Sequence, residues 1–152
     1  MGLAITFGRM PNAVASKSPG KRAQWVGRWA ETIFRALSAR VARRWRFVSF
    51  RGTRHGEWRG VVDVFAIRKD TSRPQQPPLK RGDLFDIVLV QMKGGSARRP
   101  TDEELQRLRQ VSRRYRAKEV VLFEWRKGES AQYFKLGRDL KWKPTTATEV
   151  FG

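Results

Sequence analysis

Cysteine is absent from the 152 residues, and histidine occurs once, as His55. The first absence excludes disulfides, zinc–thiolate sites and a cysteine nucleophile; the second excludes any site that needs two imidazoles. Acidic residues are scarce: 14 Asp and Glu stand against 33 Lys and Arg, a formal charge of +19. Long apolar runs are missing too, so no stretch approaches the ~20 residues of a membrane-spanning helix. The opening MGLAITF has a short apolar patch without a cationic lead, which argues against a secretory signal and for a cytoplasmic location away from membranes.

What is present is a core. Apolar residues make up 39% of the chain, with six Trp and nine Phe, too much buriable surface for a disordered basic tail. The length suits one domain. The cationic excess draws partners made of phosphates and makes their binding strongly salt dependent. Arginine outnumbers lysine, and its planar fork suits bidentate phosphate contact. An anionic membrane surface satisfies the charge equally well, so charge alone does not choose the partner.

Along the chain, residues 1–20 mix Gly, Pro, Ser, Ala and Asn without a period, and read as a flexible N-terminal arm before one domain over 21–152. Residues 21–44 turn helical, with Val26, Trp29, Ala30, Ile33, Leu37 and Val41 on one stripe and Arg40, Arg43 and Arg44 at the C-terminal end. Residues 46–50 alternate like a strand, 61–68 form a second, and 84–93 form a nearly all-apolar third that suits a central position. Pro74, Pro77 and Pro78 make 69–82 an irregular loop, long for a hairpin and so either mobile or used for contact. Thr101 and Glu104 form a capping box opening a helix with Leu105, Leu108, Val111 and Tyr115 on its apolar stripe. Strands at 119–125 and 131–136 follow, and the last sixteen residues read as irregular. The expectation is an α/β fold, a mixed sheet flanked by helices.

The chemistry-bearing residues gather on the second and third strands. Asp63 lies in GVVDVFAI at 60–67, and the third strand runs straight into Gln91, Met92 and Lys93. Alternation points Gln91 and Lys93 the same way, with Met92 on the other side. A carboxylate, an amide oxygen and the Met92 main-chain carbonyl are hard ligands of the kind Mg²⁺ takes. An ammonium beside them can orient a water or hold a phosphate. Phosphodiester hydrolysis uses such a set, because a developing oxyanion needs positive charge and a metal lowers the pKa of the attacking water.

This order of elements and residues resembles the PD-(D/E)xK nuclease superfamily, also called the restriction-endonuclease-like fold. The resemblance covers about 21–136 and implies an αβββαβ core with an acid on the second strand and an acid-x-Lys motif on the third. Val62-Asp63 stands for the family's Pro-Asp, and Gln91-Met92-Lys93 for its Glu-x-Lys. The Gln version is similar to Mrr-type nucleases, and Glu31 falls where archaeal Holliday-junction resolvases carry a first-helix acid. The resemblance implies Mg²⁺- or Mn²⁺-dependent cleavage of DNA, branched DNA included, leaving a 5′-phosphate. It assigns Glu31, Asp63, Gln91 and Lys93 to catalysis, and Glu31, Asp63, Gln91 and Met92 to the metal. No small-molecule cofactor is implied. Symmetric cutting of a junction requires a homodimer. Gln in place of Glu removes a formal charge from the site, so metal binding weakens and Mn²⁺ outperforms Mg²⁺.

Other residues are weighed beside this set. Asp86 lies five positions before Gln91, on the opposite face, and reads as structural; Asp83 reads as loop. Glu124 shares a strand face with Val120 and Leu122 and suits an Arg partner. Arg54, His55, Arg59, Arg98, Arg99, Arg109 and Arg113 are candidate nucleic-acid contacts. Trp58 could stack a base, whereas Trp25 and Trp29 suit the core. Two other functions remain open at this point: a nucleic-acid-binding module on a decayed nuclease fold, and a basic structural protein.

Overall fold

The computed structural model describes residues 19–50, 60–74 and 76–152. In chain order these form α1 (Pro19–Ala39), β1 (Arg46–Ser49), β2 (Val64–Lys69), β3 (Phe85–Gly94), α2 (Asp102–Arg114), β4 (Glu119–Trp125), β5 (Gln132–Leu136), β6 (Trp142–Thr145) and α3 (Ala147–Phe151). The strands make one six-stranded sheet in sequential order, antiparallel throughout except where β3 meets β4. A parallel pair needs a crossover, and α2 supplies it, running back along the sheet from the end of β3 to the start of β4. The αβββαβ order is therefore present, with β5, β6 and α3 added.

Alternation along β3 divides the core. Val88, Val90 and Met92 join Ala30 and Phe34 of α1, together with Val64, Ala66, Val121 and Phe123. Leu89 joins Leu105 and Leu108 of α2 on the other face, with Val120 and Leu136. The α1 side is aromatic: Phe34 meets Phe123 and Phe47 edge-on at 5.3 and 5.4 Å, and Phe151 of α3 closes the group at 6.1 Å. Ser38 and the Tyr133 hydroxyl satisfy each other at 3.0 Å in this interior. Burial pushes the Tyr133 phenol above its ordinary value, a shift that the Ser38 contact partly offsets.

Several boundaries differ from expectation. Helix α1 begins at Pro19, inside the segment read as an arm, and proline suits a first helical position. It ends at Ala39, so Arg40, Arg43 and Arg44 lie beyond its last turn. The chain turns there because Ala42 and Trp45 are buried at the corner, where the Trp45 indole donates to the Phe151 carbonyl at 3.0 Å. β2 starts at Val64, leaving Asp63 in a bend just before it. The last sixteen residues are ordered, not irregular. Pro144 is tolerated because β6 is an edge strand, and Thr146 with Glu149 builds a second capping box for α3. Residues 1–18, with Arg54, His55, Trp58 and Arg59, lie outside the described residues. Among the described residues no helix is long and apolar enough to cross a membrane.

Candidate functional site

The bend before β2 is stitched to both neighbouring strand segments. The Asp63 N–H donates to the Val90 carbonyl at 2.9 Å, and the Asp63 carbonyl accepts from the Phe50 N–H at 3.1 Å. One carboxylate oxygen, Oδ2, then accepts the Met92 N–H at 2.7 Å. A side chain thus stands where a strand carbonyl would continue the β2–β3 ladder, and a main-chain donor fixes its position. The N–H and C=O of one strand residue point to the same side, so the Met92 carbonyl also faces the Asp63 edge of β3.

Gln91 is 4% exposed, and among the described residues its Oε1 has no hydrogen-bond partner. An acceptor buried in that state costs about 1–3 kcal/mol unless something positive meets it. Its side chain leaves the same face as Leu89, the α2 face, and so does that of the half-buried Lys93. In the parallel ladder Gln91 lies opposite Leu122 and Lys93 opposite Glu124. Glu124 is occupied by Arg99, which donates from Nε to Oε1 at 2.8 Å and from Nη2 to Oε2 at 2.9 Å. The Arg99 guanidinium also lies over the Phe134 ring, 4.3 Å from its centroid. Hydrogen bonding to Glu124 raises the Arg99 pKa above its ordinary value. The acid beside Lys93 therefore has its charge offset by an arginine from the following loop.

The structure brings Asp63, Gln91, Met92 and Lys93 to one end of the β2–β3 pair. Glu31 lies on α1, which covers the other face, and accepts from Arg35 Nε at 3.1 Å. Among the described residues no three His, Cys, Asp or Glu side chains come together in a group that could hold a metal ion. The oxygens on offer are one carboxylate, one buried amide oxygen and a main-chain carbonyl. Asp86 is structural as read, since Arg68 Nε meets its Oδ2 at 2.9 Å and Lys118 lies at 3.9 Å. Of the candidate cationic contacts, Arg98 and Arg113 are exposed, Arg99 is paired with Glu124, and Arg109 donates to the Gly137 carbonyl. The particular pairing of Arg99 with Glu124 escaped the sequence reading. The signal available was an acid on a strand face with an arginine in the adjoining loop.

These elements define a class by architecture: a mixed six-stranded sheet between helices, with an αβββαβ core and a polar cluster where the second and third strands meet. Among solved structures, a similar one is Hjc, a Holliday junction resolvase from the archaeal hyperthermophile Archaeoglobus fulgidus. It is 15% identical, the match covers 83% of this chain and 100% of that one, and the TM-score is 0.49. No family model and no curated protein matches the chain.

Proposed function

We propose that this protein is a divalent-metal-dependent nuclease that hydrolyses phosphodiester bonds of DNA. The observation that carries the reading is the Asp63 carboxylate held on the Met92 N–H, beside a buried amide oxygen without a partner and the ammonium of Lys93. The donor set fits a hard cation: Asp63, the Gln91 Oε1 and the Met92 carbonyl would hold Mg²⁺ or Mn²⁺, and the orphaned Gln91 oxygen is the atom that most needs one. A cation bound there supplies a lowered pKa for a water and positive charge near the phosphate. The chain's own residues do the rest. Asp63 is oriented before substrate arrives, because its hydrogen bond comes from the backbone. Lys93 stabilises the charge that develops on phosphate oxygens as water attacks phosphorus. The P–O3′ bond breaks, leaving a 5′-phosphate and a 3′-hydroxyl. Glu31 would join only by releasing Arg35. Arg98 and Arg113, with Arg54, His55 and Arg59, are the proposed backbone contacts, and a homodimer is the form that could cut a junction symmetrically.

The test is incubation of the purified protein with duplex, single-stranded and branched DNA in Mg²⁺ or Mn²⁺. Wild type cuts at least one substrate, and Asp63→Ala and Lys93→Ala do not. If all three leave every substrate equally intact, the catalytic reading is lost. A second reading, a binding module on a nuclease-like fold, is favoured by one observation: the single carboxylate among the proposed ligands on the two strands. It predicts salt-sensitive binding without a metal effect and no cutting by Gln91→Glu.

A further inference from the structure

The loop between β2 and β3 lies at the far end of the sheet from Asp63, about 20 Å away along six strand residues. Its two acids are used locally. Asp70 Oδ1 accepts the Ser72 N–H at 2.8 Å, and Asp83 Oδ2 accepts the Lys80 N–H at 2.6 Å. These bonds, with Gly82 at φ +89°, fix the loop's shape without neutralising its cations. Among the described residues no ion pair engages Arg73, Lys80 or Arg81, and all three are exposed. An open cleft of about 240 Å³ lies here, lined by Asp70, Ser72, Arg73, Lys80, Gly82 and Leu84 among others.

The same end collects more charge and two rings. Because α2 runs back along the sheet, its last turn brings Arg113 and Arg114 to this end, and Arg116 follows. The Lys118 N–H bonds the Ile87 carbonyl at 2.7 Å, tying the segment after α2 to the start of β3. Phe85 and Tyr115 are 53% and 55% exposed. Both belong to the α2 face: Phe85 keeps the parity of Ile87 and Leu89, and Tyr115 packs on Phe65 at 6.1 Å.

From these observations we infer that the β2–β3 loop end is a second nucleic-acid site, which holds an unpaired DNA segment. Arg73, Lys80 and Arg81 take the backbone phosphates, and Phe85 stacks a base. Unpaired DNA is the fitting occupant because the faces of paired bases are covered by their neighbours, whereas an exposed ring can stack only on an open one. The inference deepens the nuclease reading and rests on it for the substrate. It makes the preferred substrate one with an unpaired stretch about 20 Å from the scissile bond.

Binding is measured without cutting, in EDTA, by fluorescence anisotropy of a labelled 12-nucleotide single strand over a series of salt concentrations. The full chain is compared with Arg73→Ala/Lys80→Ala/Arg81→Ala, with Phe85→Leu, and with a control of equal charge loss at the β5–β6 edge, Lys135→Ala/Arg138→Ala/Lys141→Ala. The loop triple variant is expected to weaken binding at least tenfold and to flatten the log–log salt slope by about 2, at about 0.7 per lost contact. Phe85→Leu is expected to weaken it about tenfold without changing the slope. The β5–β6 control changes both little. Equal losses in the two triple variants would reduce the effect to net charge and overturn the site. So would single-strand affinity unchanged in the loop variant, including the case where a parallel titration with phosphatidylserine vesicles shows the loss there alone. Because no cutting is read, a chain that binds in this pattern but never cleaves upholds the loop site and defeats the nuclease reading alone.

Discussion

Two acids beside the β2–β3 seam, Asp63 in the bend before β2 and Asp86 on β3, are held in different ways. Asp86 lies near the loop end and takes two cations, Arg68 and Lys118. Asp63 lies at the other end and takes a main-chain N–H from Met92. A carboxylate clasped by side-chain cations is largely neutralised, and its work is cohesion. One aimed by a backbone donor has its direction set by the sheet itself. The cations differ between the two ends as well. At the Asp63 end Arg99 is bound to Glu124, whereas at the loop end Arg73, Lys80 and Arg81 face outward. In the function proposed above, one end serves chemistry and the other grip.

The sharpest way to break this contrast is to neutralise each acid in turn. Asp63→Asn should lower cutting by at least about 100-fold, as loss of a preorganised charge does, while leaving DNA affinity in EDTA within a factor of about two. Asp86→Asn should leave the cutting rate unchanged and lower unfolding free energy by about 1–2 kcal/mol in urea titration. If the two exchange these effects, the assignment of ends is reversed. Next comes Gln91→Glu. Adding a charge among the proposed ligands should tighten Mg²⁺ by about tenfold, read as the metal concentration giving half-maximal cutting. A smaller effect belongs to Arg99→Gln, which frees Glu124 to compete for Lys93. Cutting should fall about two- to fivefold, the scale of a partly exposed ion pair, and Arg99→Gln/Glu124→Gln should recover it. The smallest effect concerns acid. Hydrogen bonds from the Ser72 side chain and N–H hold the Asp70 carboxyl below its ordinary 3.8. The contribution of that turn is complete above 3.8 and disappears only as pH falls through the lowered value. The Ser72 amide proton, followed by NMR, should titrate with a midpoint under 3.8.

Much of the framework was legible because its signals are local. β4 was read at its observed limits, and the Thr101–Glu104 capping box set the start of α2. The same box at Thr146 and Glu149 was equally readable, but Trp142 and Pro144 broke the strand alternation and hid β6 and α3. The end of α1 was misjudged because Val41 continues its apolar stripe, while tertiary burial of Ala42 and Trp45 turns the chain. At the candidate site, alternation alone put Gln91 and Lys93 on one face. The contact of Asp63 with the Met92 N–H was not legible, since it depends on a bend that departs from strand geometry. The claim of Arg99 on Glu124 depends on a loop between elements, where periodicity says nothing. The loop end was read only as a segment either mobile or used for contact, because prolines mark a turn without revealing which of its charges the turn leaves unneutralised.

The lone Gln91 oxygen has a thermodynamic corollary. A fold that encloses an unmet acceptor is softer at that address than it needs to be, so whatever supplies the missing positive partner must also raise the melting temperature. Heating curves taken with and without Mn²⁺ therefore report on occupancy even in a protein that turns nothing over. Gln91→Leu should melt higher than the parent and lose that response to manganese.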